Sequence, residues 1–125
     1  VETPVEPAGP AVIRKETADE VLRAMEAVIE SNDGTGKHLT IPGYRLGGKT
    51  GTAQKLDKGR NHVLNFVGTV PSRDPKALIL VMVDSPRAGQ YGGQVAGPVF
   101  RAMAQAIIRR YRIPPTEPVE VKESR

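Results

Sequence analysis

The chain has 125 residues, a formal charge of +4, 38% hydrophobic and 4% aromatic residues, which is enough for one small core. It has no cysteine, so disulfides and thiolate metal sites are excluded, and its two histidines, His38 and His62, stand far apart with no His/Asp/Glu grouping at metal-ligand spacing; neither a metal nor a cofactor is expected. No stretch approaches the ~18 apolar residues of a membrane span, no signal peptide is recognisable, and nucleic-acid binding lacks the basic face with interleaved aromatics that it needs.

Val1 to Pro10 is proline-rich and begins an extended lead-in over residues 1–16. The start at Val1, without an initiator Met, reads as a processed or excised piece. Thr17-Ala18-Asp19-Glu20 matches a capping box with Thr17 as N-cap. Val21, Leu22, Met25, Val28 and Ile29 follow at helical spacing, which predicts a helix from Ala18 to Glu30. Thr35 to Gly43 reads as a loop with a Pro42-Gly43 turn. Tyr44 to Gln54, rich in Gly and Thr, suits a strand that something else approaches closely. Asp57 to Asn61 is polar and reads as a turn. His62 to Val70 predicts a strand with Leu64, Phe66 and Val70 on one face. Pro71 to Pro75 is the next turn. Ala77 to Val83 is a continuous apolar run, which predicts a central strand buried on both faces.

Asp84 to Gly93 reads as a loop, with Asp84 as its cap. Gly97-Pro98 then opens a helix. Ala96, Phe100, Met103, Ile107 and Tyr111 form its predicted buried stripe. Arg109, Arg110 and Arg112 read as a solvated helix end that the helix dipole favours. Pro114-Pro115 stops the helix, and residues 114–125 read as a flexible tail. Helix, three strands, helix, joined by short turns, predict an α/β fold of the α+β type. A three-stranded antiparallel sheet is flanked by one helix from each end.

The densest feature is Gly47-Gly48-Lys49-Thr50-Gly51-Thr52-Ala53-Gln54. Gly43 to Thr50 spells the phosphate-loop pattern G-x-x-x-x-G-K-S/T, but its context is wrong. Pro42-Gly43 breaks any strand before it, and no apolar helical period follows Thr50. Two readings remain open. One is an ordinary Gly-rich edge strand with a solvated Lys. The other is a strand that binds an acyl substrate and its carboxylate. There Lys49 supplies a fixed charge, Thr50 and Thr52 supply hydroxyls, and Gly51 lets a ligand lie against the backbone. A strand edge also offers N–H groups to a tetrahedral oxyanion.

Gly48 to Gln54 resembles the third active-site motif of the penicillin-binding proteins, serine acyl-transfer enzymes in which K-T-G stands beside S-x-x-K. Phe66-Val67-Gly68 with Pro71 and Asp74-Pro75 resembles that family's next strand and turn. Val83-Asp84-Ser85-Pro86, Tyr91-Gly92-Gly93 and Val95 to Phe100 resemble its closing strand, loop and C-terminal helix; upstream, Gly34-Thr35-Gly36 and Ile41 to Tyr44 also fit. The pattern is most similar to the class B, monofunctional transpeptidases, including the division type, and covers about residues 10 to 113. Residues 17–113 would then be the C-terminal part of a transpeptidase domain.

The resemblance implies a peptidoglycan D,D-transpeptidase. A serine attacks the D-Ala-D-Ala end of a stem peptide, D-Ala leaves, and an amine of a second stem resolves the acyl-enzyme. β-Lactam antibiotics mimic the donor. Lys49 would orient the polar site and meet the serine of the middle motif. Thr50 and Thr52 would bind the carboxylate, and the Thr52 N–H would be one oxyanion donor. Tyr91 could wall the site or pack on its own loop. His62 could lie beside Lys49, although a solvated position at the strand start is the simpler reading. Arg45 and Lys55 read as solvated.

The chain departs from the full pattern. Its serines are Ser31, Ser72, Ser85 and Ser124; none has Lys three residues later, and none begins S-x-N. Alone it should not acylate. The remaining N-terminal part of the same transpeptidase is the expected partner, together with the stem peptide, β-lactams and, beyond them, cell-wall synthesis or division proteins. The location implied is the periplasmic, extracytoplasmic face of the membrane. A D,D-carboxypeptidase or β-lactamase, and a non-catalytic interaction fragment of a division protein, are the alternatives.

Overall fold

The computed structural model describes residues 9–56, 61–87 and 91–118. Half of the predicted lead-in, and most of the predicted tail and of the turn at 57–61, lie outside the described residues. The elements are helix α1 (Lys15–Glu30), a 3₁₀ turn (Lys37–Leu39), strands β1 (Gly47–Gln54), β2 (His62–Val70) and β3 (Ala77–Asp84), and helices α2 (Gly92–Val95) and α3 (Gly97–Tyr111). The strands form an antiparallel sheet in the order β1-β2-β3. The α+β expectation stands.

Helix α1 starts earlier than the capping box suggests. Arg14 is its N-cap, with no side-chain capping bond. Thr17 lies within the first turn, which Lys15 and Asp19 staple at 2.5 Å. On β2 the predicted alternation holds: Leu64, Phe66 and Val70 are fully buried. Gly68 on the same face lets α3 approach, since a Cβ there would run into the Phe100 ring and sit 2.6 Å from the Gly47 carbonyl oxygen. The Phe66 and Phe100 rings meet at 4.8 Å, and burying one such ring contributes about 2–3 kcal/mol. Ile29, Leu39, Leu46, Ile79 and Ile108 complete the core around them.

Two predicted faces are corrected. Helix α3 buries Ala96, Phe100, Ala104 and Ile108, while Met103 and Tyr111 are exposed. Ala96 and Phe100 hold as predicted and Ile107 packs against the core, while beyond Phe100 the buried row runs i, i+4 through Ala104 and Ile108 instead of through Met103 and Tyr111. Strand β3 is an edge strand, not a central one. Leu78, Leu80 and Met82 on its outer face are 70%, 58% and 63% exposed. A continuous apolar run suits a strand covered on both faces, and among the described residues nothing covers this one.

Arg45 and Lys55 are not free in solvent. Lys55 pairs with Asp84 and reaches Ser85 Oγ at 3.2 Å, and Ser85 Oγ donates to Asp84 Oδ1 at 2.7 Å. Arg45 belongs to a larger network. Buried Glu26 of α1 accepts from Ser72 Oγ, from Arg73 Nη2 at 3.0 Å and from Arg45 Nη1 at 3.2 Å. Arg45 Nε donates to Glu117 Oε2 at 3.1 Å, and Thr116 N–H to the Gly43 carbonyl at 2.9 Å. The first residues of the predicted flexible tail are thereby tied to the segment that enters β1. Glu30 Oε1 accepts from Leu46 N–H at 3.1 Å, so α1 sets the start of the motif strand at two points.

Burial pushes the Glu26 carboxyl up, but the Ser72 hydroxyl and the Arg73 and Arg45 guanidinium groups outweigh it and hold it below its ordinary value of 4.5. A lowered folded value stabilises the protein above the unfolded value, and that contribution is lost as pH falls through the folded value. Glu26→Gln should therefore cost about 1–3 kcal/mol near pH 7. The gap to wild type should persist down to about pH 5 and shrink as pH falls below 4.5. Thermal melts of both proteins across pH 3–7 check this.

Candidate functional site

Strand β1 splits the dense motif between two sheet faces. Side chains alternate along a strand. Thr50 and Thr52 stand opposite Phe66 and Leu64, while Lys49 and Gly51 stand opposite Val67 and Asn65. The strand continues to Gln54 with no helix after Thr50, so the phosphate-loop spelling does not take the phosphate-loop shape.

The Thr50 and Thr52 face opens into a cleft of about 250 Å³. Thr35, Thr50, Thr52, Tyr91, Gly92, Gly93 and Gln94 line it. Hydroxyl groups stand on the strand side and α2 forms the facing wall. Tyr91, the residue before α2, lines the cleft and is 62% exposed. Such a concave, hydroxyl-lined slot suits a small anion, and hydroxyl donors are suited to a carboxylate. Helix α2 begins at Gly92, within the stretch Asp84 to Gly93 that the sequence predicts as loop. Its Gly92 sits where a Cβ would strike main-chain oxygens of β1 and β2, a contact that no sequence period reveals.

Lys49 lies on the other face. It borders an apolar hollow of about 480 Å³ with Val21, Ala24, Met25, Val28, Gly48 and Val67. Its Nζ donates to the Thr50 carbonyl at 2.7 Å. The aliphatic stem covers apolar surface and the charge stays in water at the sheet edge. His62 is not in the cleft. It is half-buried at the far end of β2, opposite Gln54, and its carbonyl accepts from Ser85 N–H at 2.8 Å. His38, outside every motif, reaches the Gly93 carbonyl with Nε2 at 2.9 Å. Gln94 also joins the cleft without a sequence signal of its own, while Thr35 comes from the Gly34-Thr35-Gly36 stretch that fits the family pattern. Among the described residues no group of three or more His, Cys, Asp or Glu side chains could hold a metal, and no helix is long and apolar enough to cross a membrane.

Known proteins resemble this chain over most of its length. The sequence model of the penicillin-binding protein transpeptidase domain matches residues 2–105. A probable peptidoglycan D,D-transpeptidase, PenA of Neisseria flavescens, is 40% identical over 120 residues, which is 92% of this chain and 30% of that protein. The stage V sporulation protein D of Bacillus subtilis is 43% identical over 93 residues, 70% of this chain and 14% of that protein. The apo transpeptidase domain of Burkholderia pseudomallei penicillin-binding protein 3 superposes with a TM-score of 0.77 at 41% identity, covering 90% of this chain and 35% of that one. The chain thus spans between 14% and 35% of the proteins it matches here.

Proposed function

This chain belongs to the penicillin-binding protein transpeptidase domain family, and on that premise we propose that it is the K-T-G part of a serine D,D-transpeptidase that crosslinks peptidoglycan and binds β-lactams. The observation that carries the reading is the division of labour along β1. Thr50 and Thr52 line a small cleft, while the next-door Lys49 keeps its charge outside it.

In this reading the carboxylate of a stem peptide or a β-lactam enters the cleft and accepts from the two hydroxyls. The acyl carbonyl then lies along β1, where the Thr52 N–H supports the developing oxyanion. Lys49 supplies a positive charge to the serine that relays the proton. The nucleophile comes from a segment that this sequence does not contain, since it has no S-x-x-K. That segment attacks the D-Ala-D-Ala carbonyl, D-Ala leaves, and an amine of a second stem takes the acyl group. The open edge of β3 and its exposed Leu78, Leu80 and Met82 are the natural seat for it, because a bare apolar edge strand favours further pairing. The assembled enzyme would work at the extracytoplasmic face of the membrane, where peptidoglycan is built.

Intact mass spectrometry with benzylpenicillin tests this. The complete protein should gain one penicilloyl adduct, and the isolated 125-residue chain should gain none. A complete protein that stays unmodified overturns the function. An adduct on the isolated chain overturns the assignment of the nucleophile to another segment. Release of D-Ala without transfer to an amine marks a carboxypeptidase instead.

A further inference from the structure

We propose that His38 is a positioning residue for the carboxylate cleft: its ring fixes the wall formed by α2 at the right distance from Thr50 and Thr52. This rests on the function proposed above. The two walls of the cleft are not equally supported. One is β1, held by a full antiparallel ladder to β2. The other is α2, only four residues long, which is too short to be stable by its own hydrogen bonds. Its position must come from outside contacts.

His38 provides one that spans 55 positions of sequence. The Gly93 carbonyl can only accept, so the ring nitrogen at 2.9 Å carries the hydrogen and donates it. The ring stands on a firm base. The next residue, Leu39, is buried in the core, and its side chain lies against Gly97 at the start of α3. The following carbonyl, of Thr40, accepts from Arg101 Nε of α3 at 3.1 Å. Gly93 in turn faces the strand. A Cβ there would lie 3.2 Å from Thr50 Cγ2, 3.3 Å from the Thr35 carbonyl oxygen and 3.9 Å from His38 Cε1. A movement of α2 therefore changes the gap between this wall and the Thr50 side chain directly. The sequence from core to cleft is Leu39, the His38 ring, the Gly93 carbonyl and Thr50.

His38 touches no reacting atom in this scheme, so its loss should act through binding of the carboxylate. In the complete protein, His38→Ala should slow acylation by benzylpenicillin about tenfold, as misplacement of a binding wall does. His38→Gln, whose amide nitrogen reaches about as far as Nε2, should stay within about twofold of wild type. The methyl ester of benzylpenicillin has no carboxylate to seat, so wild type and His38→Ala should react with it at similar rates. Melting temperatures of the variants show whether each is folded, and the His38→Gln comparison remains decisive if His38→Ala is not. Acylation of His38→Ala at the wild-type rate, an equal loss with the ester, or a His38→Gln variant as slow as His38→Ala each overturn the proposal while leaving the function intact. A wild-type protein that is not acylated at all overturns both.

Discussion

Replacing Lys49 by methionine should slow acylation of the complete protein by benzylpenicillin about 100- to 1,000-fold while leaving its melting temperature nearly unchanged. The two halves of that result come from different atoms. The stem of Lys49 borders the hollow beside Val21, Met25, Val28 and Val67, and methionine replaces it with a flexible apolar chain of similar length. The ammonium group is exposed and held by one bond, to the Thr50 carbonyl at 2.7 Å, so its removal leaves no buried partner orphaned. On the proposed function, what is lost is a positive charge next to the reacting groups, and a single charge-stabilising group of that kind is worth about 10²–10³ in rate. Lys49→Arg should recover part of the rate, because it keeps the charge and changes the shape of the donor. Stopped-flow acylation and a thermal melt decide the matter. A Lys49→Met protein that acylates at the wild-type rate removes Lys49 from the mechanism, and one that unfolds assigns it to the core instead.

Some of this architecture is legible from local pattern because the physics is local. Alternation along β2 places Leu64, Phe66 and Val70 on the core face, since that pattern repeats with the pleat. The motif strand is legible through its family resemblance, and its P-loop spelling is refuted by neighbouring residues alone. Strand β3 shows where local pattern stops. Its apolar run is consistent with burial on both faces, but whether something covers Leu78, Leu80 and Met82 depends on chain outside the pattern. The stripe of α3 is legible at Ala96, Phe100 and Ile107 but not at Ala104 and Ile108, because helical spacing fixes a period and leaves the crossing angle open. Glu26 was hidden in the same way. It falls among apolar helix positions, and its partners Arg45, Ser72 and Arg73 are 19, 46 and 47 residues away. The cleft is the extreme case. Thr50, Thr52, Thr35 and Tyr91-Gly92-Gly93 are named by the resemblance, while His38, Gln94 and the helical form of the α2 wall arrive only through tertiary contact.

Gly92→Ala should destabilise the protein by about 3 kcal/mol and slow acylation in whatever fraction remains folded. The argument is one of space. A Cβ at Gly92 would run into the carbonyl oxygen of Asn65 on β2 and lie 2.6 Å from that of Gly51 on β1. Both obstacles are main chain within a paired ladder, where Gly51 and Asn65 are partners in register, so neither can swing aside as a side chain can. The extra methyl must push α2 off the sheet or spread the two strands, and overpacking of this kind costs about 1–3 kcal/mol or somewhat more. Either movement displaces the wall opposite Thr50 and Thr52. The adjacent Gly93→Ala supplies the contrast. Its Cβ would stand 3.2 Å from Thr50 Cγ2, 3.3 Å from the Thr35 carbonyl oxygen and 3.9 Å from His38 Cε1, so shifts of a few tenths of an ångström suffice. Its stability should stay within about 1 kcal/mol of wild type, while its added methyl narrows the cleft itself. Urea unfolding of the two variants, read beside their acylation rates, separates the effects. Gly92→Ala should lose stability and rate together, and Gly93→Ala should lose mainly rate. Equal stabilities for the two would mean that α2 does not rest on the main chain of Gly51 and Asn65, and the close approach at Gly92 would lose its place in the account of how the cleft is built.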